Sequence, residues 1–282
     1  MFFFVLFFFL FFLFSFINLC VLDYVIWWSI FVVCTFFFLF LIKDVFCSVL
    51  VNYYIIQEVC GYYFLVFSNW KWQFFVLMMK SGSAPFHFWL FSVTSFLKKW
   101  FVLWFLTLQK LPYFVVLINF CSDLFFIIIF FGMIFCYLQF FLLRDIINMV
   151  VVYSTESFNW LLFLSFFSFF ESLYFAFFYY IVMFFVIMYV YGVLLSFFSV
   201  EFLFVFFNVP LSVTFFLKLL LLLGMNVFVG VWYLFILFFM IFFSLGIGFW
   251  FFYLSMYGFI VGIKFYDYFC YILLSFMLLC FF

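Results

Sequence analysis

Charge is what this sequence most lacks. Only 6% of its 282 residues are Asp, Glu, Lys or Arg, against 76% that are hydrophobic, and the mean hydropathy is +1.59. A soluble domain is excluded, because no water-facing fold hides that much apolar surface. Histidine is nearly absent: His87 is the only one. A haem-bearing membrane subunit, which needs several axial histidines, is therefore excluded too. The eight cysteines are scattered, with no CxxC pair and no partnering histidines, so they read as small buried hydrophobes rather than metal ligands or disulfides. The period-two alternation of a barrel strand is missing. No Lys or Arg precedes Lys43, so "MFFFVLFFFLFFLFSF" lacks the charged region of a secretory signal and reads as a retained first span. Nine basic and nine acidic residues give a net charge of zero, and nothing suggests nucleic-acid binding.

What is present is apolar sequence almost end to end. A bilayer core needs about 20 apolar residues per helix, and polar punctuation divides the chain into about eleven such spans, roughly 2–21, 24–42, 45–67, 72–97, 100–119, 122–142, 145–167, 170–198, 202–228, 231–254 and 266–282. Loops are too short for an extramembrane domain. The expectation is one all-α domain over 1–282, a polytopic transmembrane helix bundle with two discontinuous helices. The fourth span carries Gly82 and Pro85 in mid-run, and the ninth carries Pro210. A proline removes a backbone donor, and the freed carbonyls must be satisfied by protein or water, which places broken helices in the bundle interior. Phenylalanine, at 69 residues, exceeds any packing need. It reads as codon bias of a small, skewed genome such as an organelle's, any apolar residue being adequate against lipid.

The few charges sort by depth. Asp23, Lys43, Asp44, Lys71, Lys98, Lys99, Arg144, Asp145, Lys264 and Asp267 fall at span ends, where snorkelling or orientation is their role. Lys80, Lys110, Lys218, Glu58 and Glu156 fall well inside spans. Each such charge costs about 2.5–3.5 kcal/mol on insertion scales. Ion pairs that glue helices together are one explanation, but lysines outnumber acids here, and two of them sit on interrupted helices. A row of titratable groups across the membrane is the other. Driving one proton against about 100 mV takes about 2.3 kcal/mol, equivalent to about 1.7 pKa units. Forming or breaking one lysine–carboxylate contact swings a pKa that far. Lysine suits such a role better than arginine, which stays charged, and the cations here are eight lysines and one arginine. His87, of a residue type that titrates near neutrality, is a candidate relay between lysines.

The segment "KSGSAPFHFW", 80–89, resembles a signature of the chain 2 family of NADH–ubiquinone oxidoreductases, the antiporter-like membrane-arm subunits of mitochondrial respiratory complex I. Lys80, Gly82, Ala84, Pro85, Phe86, His87 and Trp89 carry the match. "LQKLP" at 108–112, "LLRD" at 142–145, "YS" at 153–154 and "PLSVTFFLK" at 210–218 resemble further family segments, with Leu211 and Thr214 departing from the last. The resemblance implies a proton-translocating subunit of the inner mitochondrial membrane with no flavin, iron–sulfur cluster or NADH site of its own. Subunits 4 and 4L would be its neighbours. It also implies roles for Lys80 as a carboxylate-modulated lysine, Lys110 as a mid-membrane relay and Lys218 as a distal lysine. A stand-alone cation/proton antiporter and a purely structural membrane subunit remain as alternatives.

One departure stands out. Where the family pattern places a glutamate in the second span, this chain has Phe31. The expectation is that Glu58, on the third span, takes over as counter-charge for Lys80, with Phe31 near the same site. Glu156 belongs to the same buried row, and the sequence assigns it no particular task within it.

Overall fold

With lipid as solvent, each backbone N–H and C=O must find a partner within the chain, and a helix pairs them without help from neighbours. The computed structural model describes residues 2–42, 47–97, 99–143 and 145–192, together with Lys218, Phe238 and Gly246. All regular structure among the described residues is helical. In chain order come α1 (Phe2–Cys20), α2 (Tyr24–Leu41), α3 (Cys47–Val66), α4 (Trp70–Ser81), α5 (Phe88–Thr94) and α6 (Lys99–Leu106). A 3-10 turn (Leu108–Lys110) then leads to α7 (Leu111–Asn119), α8 (Asp123–Leu142), α9 (Ile146–Ser165) and α10 (Phe169–Gly192). Four stretches are long and apolar enough to cross a membrane: Tyr24–Leu41, Cys47–Val66, Phe101–Asn119 and Phe125–Leu142. The first eight expected spans each fall on a helix or a broken helix. The last three, with the interruption expected at Pro210, lie outside the described residues.

Polar residues at the helix starts act as caps. The Asp23 carboxylate accepts from the Val25 N–H at 3.1 Å, and the Asn69 side chain accepts from the Lys71 N–H at 3.0 Å, satisfying donors that α2 and α4 leave unpaired.

Two layers are evident. Every residue from Phe101 to Ile118 is buried, as is every residue from Met149 to Ser165, so the broken helix α6–α7 and α9 form the interior. The other long helices present one apolar face outward. On α8 the exposed residues Ile127, Phe131, Phe135, Leu138 and Leu142 recur at helical spacing, while Phe125, Ile129, Met133, Cys136 and Phe140 point inward. A face of that composition suits lipid. Asn18 of α1 donates to the Pro112 carbonyl at 3.2 Å, fastening an outer helix to the inner one at a carbonyl near the break.

The fourth span breaks where expected. Gly82 adopts the left-handed conformation, φ 65° and ψ 40°, which glycine reaches without strain. Its N–H bonds to the Met79 carbonyl at 3.2 Å, and the Ser83 N–H bonds to the Met78 carbonyl at 3.1 Å, the double closure of a Schellman end. A second break, in the fifth span, was not expected. Pro112 has no N–H to return to Leu108, and the chain tightens there, with Leu111 N–H taking the Leu108 carbonyl and Lys110 N–H the Thr107 carbonyl.

Candidate functional site

Lys80 lies in the last turn of α4 with only 2% of its surface exposed. Its ammonium lies over the Phe31 ring at 5.1 Å and the Tyr113 ring at 5.9 Å, distances at which a ring's negative face attracts a cation. Phe31 thus does stand beside Lys80. It supplies a π face, so this phenylalanine is more than apolar filler. Gly61 of α3 makes the room: a Cβ there would stand 3.4 Å from the Lys80 Nζ and 3.2 Å from the Trp28 Nε1.

Three carbonyls at the break are taken up by side chains. Trp89 Nε1 donates to Met79 O at 2.9 Å, Gln57 Nε2 to Lys80 O at 3.0 Å, and Asn159 Nδ2 to Ala84 O at 3.3 Å. Gln57 Oε1 also accepts from the Tyr113 hydroxyl at 3.4 Å, linking the break to α7. Gly132 of α8 lies so close that a Cβ would come within 2.4 Å of the Ala84 carbonyl oxygen. The broken segment is thus clasped by α3, α8 and α9.

Glu58 is half-buried at the edge of the inward stripe of α3, which runs through Val49, Tyr53, Gln57, Cys60, Gly61 and Phe64. Among the described residues no ion pair joins it to Lys80. His87 is fully buried, with Nε2 at 2.5 Å from Gln139 Oε1 on α8. With that oxygen as acceptor the ring proton sits on Nε2, and Nδ1 is buried without a hydrogen-bond partner.

Lys110 sits on the 3-10 turn, 3% exposed. Its ammonium donates to Ser154 Oγ at 3.3 Å and lies 5.3 Å from the centre of the Phe158 ring. Ser154 and Phe158 are four residues apart, on one face of α9. The next face carries Tyr153, Glu156 and Trp160, and it receives Lys218. The Lys218 ammonium contacts both Glu156 oxygens at 2.5 Å and lies 5.3 Å from the Tyr153 ring centre. Glu156 is 1% exposed and Lys218 4%. Tyr137 of α8 donates to Glu156 Oε1 at 3.1 Å, and Trp160 Nε1 donates to the same oxygen at 2.7 Å.

Sequence reasoning missed this pairing, although the spacing of Tyr153, Glu156 and Trp160 at i, i+3 and i+7 marked a common face. No group of three His, Cys, Asp or Glu able to hold a metal converges among the described residues.

Apolar helices surrounding buried lysines, a histidine and a buried acid define a helical membrane protein with ionisable groups inside the bundle. The chain is 44% identical to NADH-ubiquinone oxidoreductase chain 2 of Ascaris suum over 201 residues, 69% of this chain and 67% of that protein. It is 39% identical to NADH-ubiquinone oxidoreductase chain 2 of Caenorhabditis elegans over 163 residues, 56% of this chain and 57% of that protein. It belongs to the NADH-ubiquinone oxidoreductase chain 2 family. No family model matches the chain.

Proposed function

We propose that this chain is a proton-translocating membrane-arm subunit of a respiratory NADH:ubiquinone oxidoreductase in the inner mitochondrial membrane. About eleven spans form its bundle, with a discontinuous helix at Pro210 besides the one at Gly82. Protons pass through Lys80, Lys110 and Lys218, with Glu58 and His87 along the path. Quinone reduction elsewhere in the complex drives them, and NADH, flavin, iron–sulfur clusters and ubiquinone belong to other subunits. Subunits 4 and 4L are the adjoining chains.

One observation carries this reading: three lysines, each no more than 4% exposed, lie inside the bundle. Two of them, Lys80 and Lys110, sit directly at helix breaks. A lysine held only to glue helices has no need of an interrupted backbone. Broken helices, in contrast, leave polar backbone groups and room for water beside the side chain. Glu58, one residue from Gln57 and three from Gly61, is the acid on the helix that lines the Lys80 niche, and it provides the counter-charge when Lys80 is charged. His87, buried beside the broken segment, passes protons between the lysines.

Purification tests the assignment. The chain should co-migrate with a large assembly that oxidises NADH and reduces quinone, and should carry no ion flux when reconstituted alone. Cation/proton exchange by the isolated chain in liposomes would instead support a stand-alone antiporter.

A further inference from the structure

We propose that Glu156 is a working member of the proton path, the carboxylate that holds the charged form of Lys218 and accepts its proton. The proposal rests on the path described above and adds to it a residue that neither the sequence motifs nor the family resemblance singled out.

The geometry favours exchange over glue. The two oxygens of Glu156 are not equivalent. Oε1 receives the Tyr137 hydroxyl, the Trp160 N–H and the Lys218 ammonium, while Oε2 receives Lys218. A carboxylate that served only to neutralise Lys218 would be left bare whenever the lysine moved away, at a large desolvation cost. Here Tyr137 and Trp160 stay on Oε1, so the anion keeps two donors when the pair opens. Oε2 is the oxygen open to a proton. The step is balanced within the pair: an Nζ–H bond of Lys218 breaks, an Oε2–H bond forms, and an ammonium and a carboxylate become a neutral amine and a neutral acid. The reverse step restores the charged pair.

The surroundings hold this device in place. Glu156 lies on α9 between Thr155, in contact with Cys136 Sγ of α8 at 3.5 Å, and Ser157, which shares a hydrogen bond with the Tyr179 hydroxyl of α10 at 3.0 Å. Tyr153, one turn earlier, lies beneath the Lys218 ammonium. The same helix reaches Lys110 through Ser154, two residues away. One rigid element, buried from Met149 to Ser165, therefore touches two lysines of the path, and a shift of α9 that opens one contact displaces the other.

The test compares variants in the assembled complex and reads protons moved per NADH oxidised, a ratio independent of how much complex assembles. Glu156→Gln keeps an oxygen for Tyr137 and Trp160 but removes the charge. It should lower the ratio to the level of Lys218→Met, and Glu156→Asp should recover part of it. A wild-type ratio in assembled Glu156→Gln would overturn the proposal. If Glu156→Gln does not assemble, Tyr137→Phe decides, since it removes only one hydroxyl from Oε1: the ratio should fall, and an unchanged ratio would refute the role. Lys218→Met separates this proposal from the reading beneath it. If Lys218→Met itself retains the wild-type ratio, the path through Lys218 fails. If only the Glu156 and Tyr137 variants retain it, the path stands and the role of Glu156 falls.

Discussion

Replacing Gly132 by alanine should do more damage than its single methyl suggests. The new Cβ would lie 2.4 Å from the Ala84 oxygen, 2.7 Å from the Ala84 carbonyl carbon and 3.1 Å from Asn159 Nδ2. Two of these are backbone atoms of the break that follows α4, so no side chain can rotate out of the way. Overpacking of this kind costs about 1–3 kcal/mol. Separating α8 from the segment also strips the Asn159 bond from the Ala84 carbonyl, and an orphaned buried acceptor costs about 1–3 kcal/mol. The combined loss is about 2–6 kcal/mol, or about 30-fold or more in the equilibrium between intact and disrupted states. The His87–Gln139 contact crosses the same interface and should loosen with it. The assay is the temperature at which detergent-solubilised complex loses quinone reductase activity, together with the yield of assembled complex. Phe131→Ala, at a residue 54% exposed on the outward face of the same helix, serves as the control. A Gly132→Ala complex with wild-type yield and inactivation temperature would refute the close clasp of α8 on the break.

Other substitutions probe the lysines' surroundings. Gly61→Ala fills the niche between Lys80 Nζ and Trp28 Nε1; assembly should persist while quinone reductase turnover falls, by about tenfold if the switching barrier rises by about 1.4 kcal/mol, and unchanged turnover would show that the niche is idle. Pro112→Ala restores a backbone donor and lets α6 run into α7, so thermal stability should hold or rise while turnover drops as Lys110 is carried off its 3-10 turn. Equal turnover would mean that the break is incidental. Glu58→Gln should impair proton pumping about as much as Lys80→Met, and the double variant should cost less than the two losses combined, because each removes the same coupling; additive losses would free Glu58 of that role.

Helix identity and the break at Gly82 were legible in the sequence because each depends on residues a few positions apart: apolar runs of bilayer length, a glycine able to turn left-handed, a proline just beyond. The break before Pro112 carried the same kind of local signal, hidden by a run that is otherwise a complete span. Partners were not legible. Gln57 reaches a carbonyl 23 residues away, Asn159 one that is 75 residues away, and Lys218 an acid 62 residues away. Packing of whole helices decides such contacts, and local pattern does not encode it. Phe31 illustrates both sides. Its place beside Lys80 followed from the resemblance, but its use as a π face for the ammonium emerged only from the way α2, α4 and α7 meet. Glu58 shows how far a local pattern reaches: the sequence nominated it, and it stands half-buried on the helix that lines the Lys80 niche, with no direct ion pair to Lys80 among the described residues.

The central claim is that protons cross this chain through its buried lysines, and Lys110 tests it most directly. It is 3% exposed, sits on the break between α6 and α7, and contacts Ser154 and the Phe158 ring. Methionine keeps the apolar stem and removes the ammonium, so the bundle should still form. Protons moved per NADH oxidised should then fall in vesicles bearing the Lys110→Met complex, with quinone reductase turnover falling alongside. An assembled complex that retains the wild-type ratio and turnover would contradict the account.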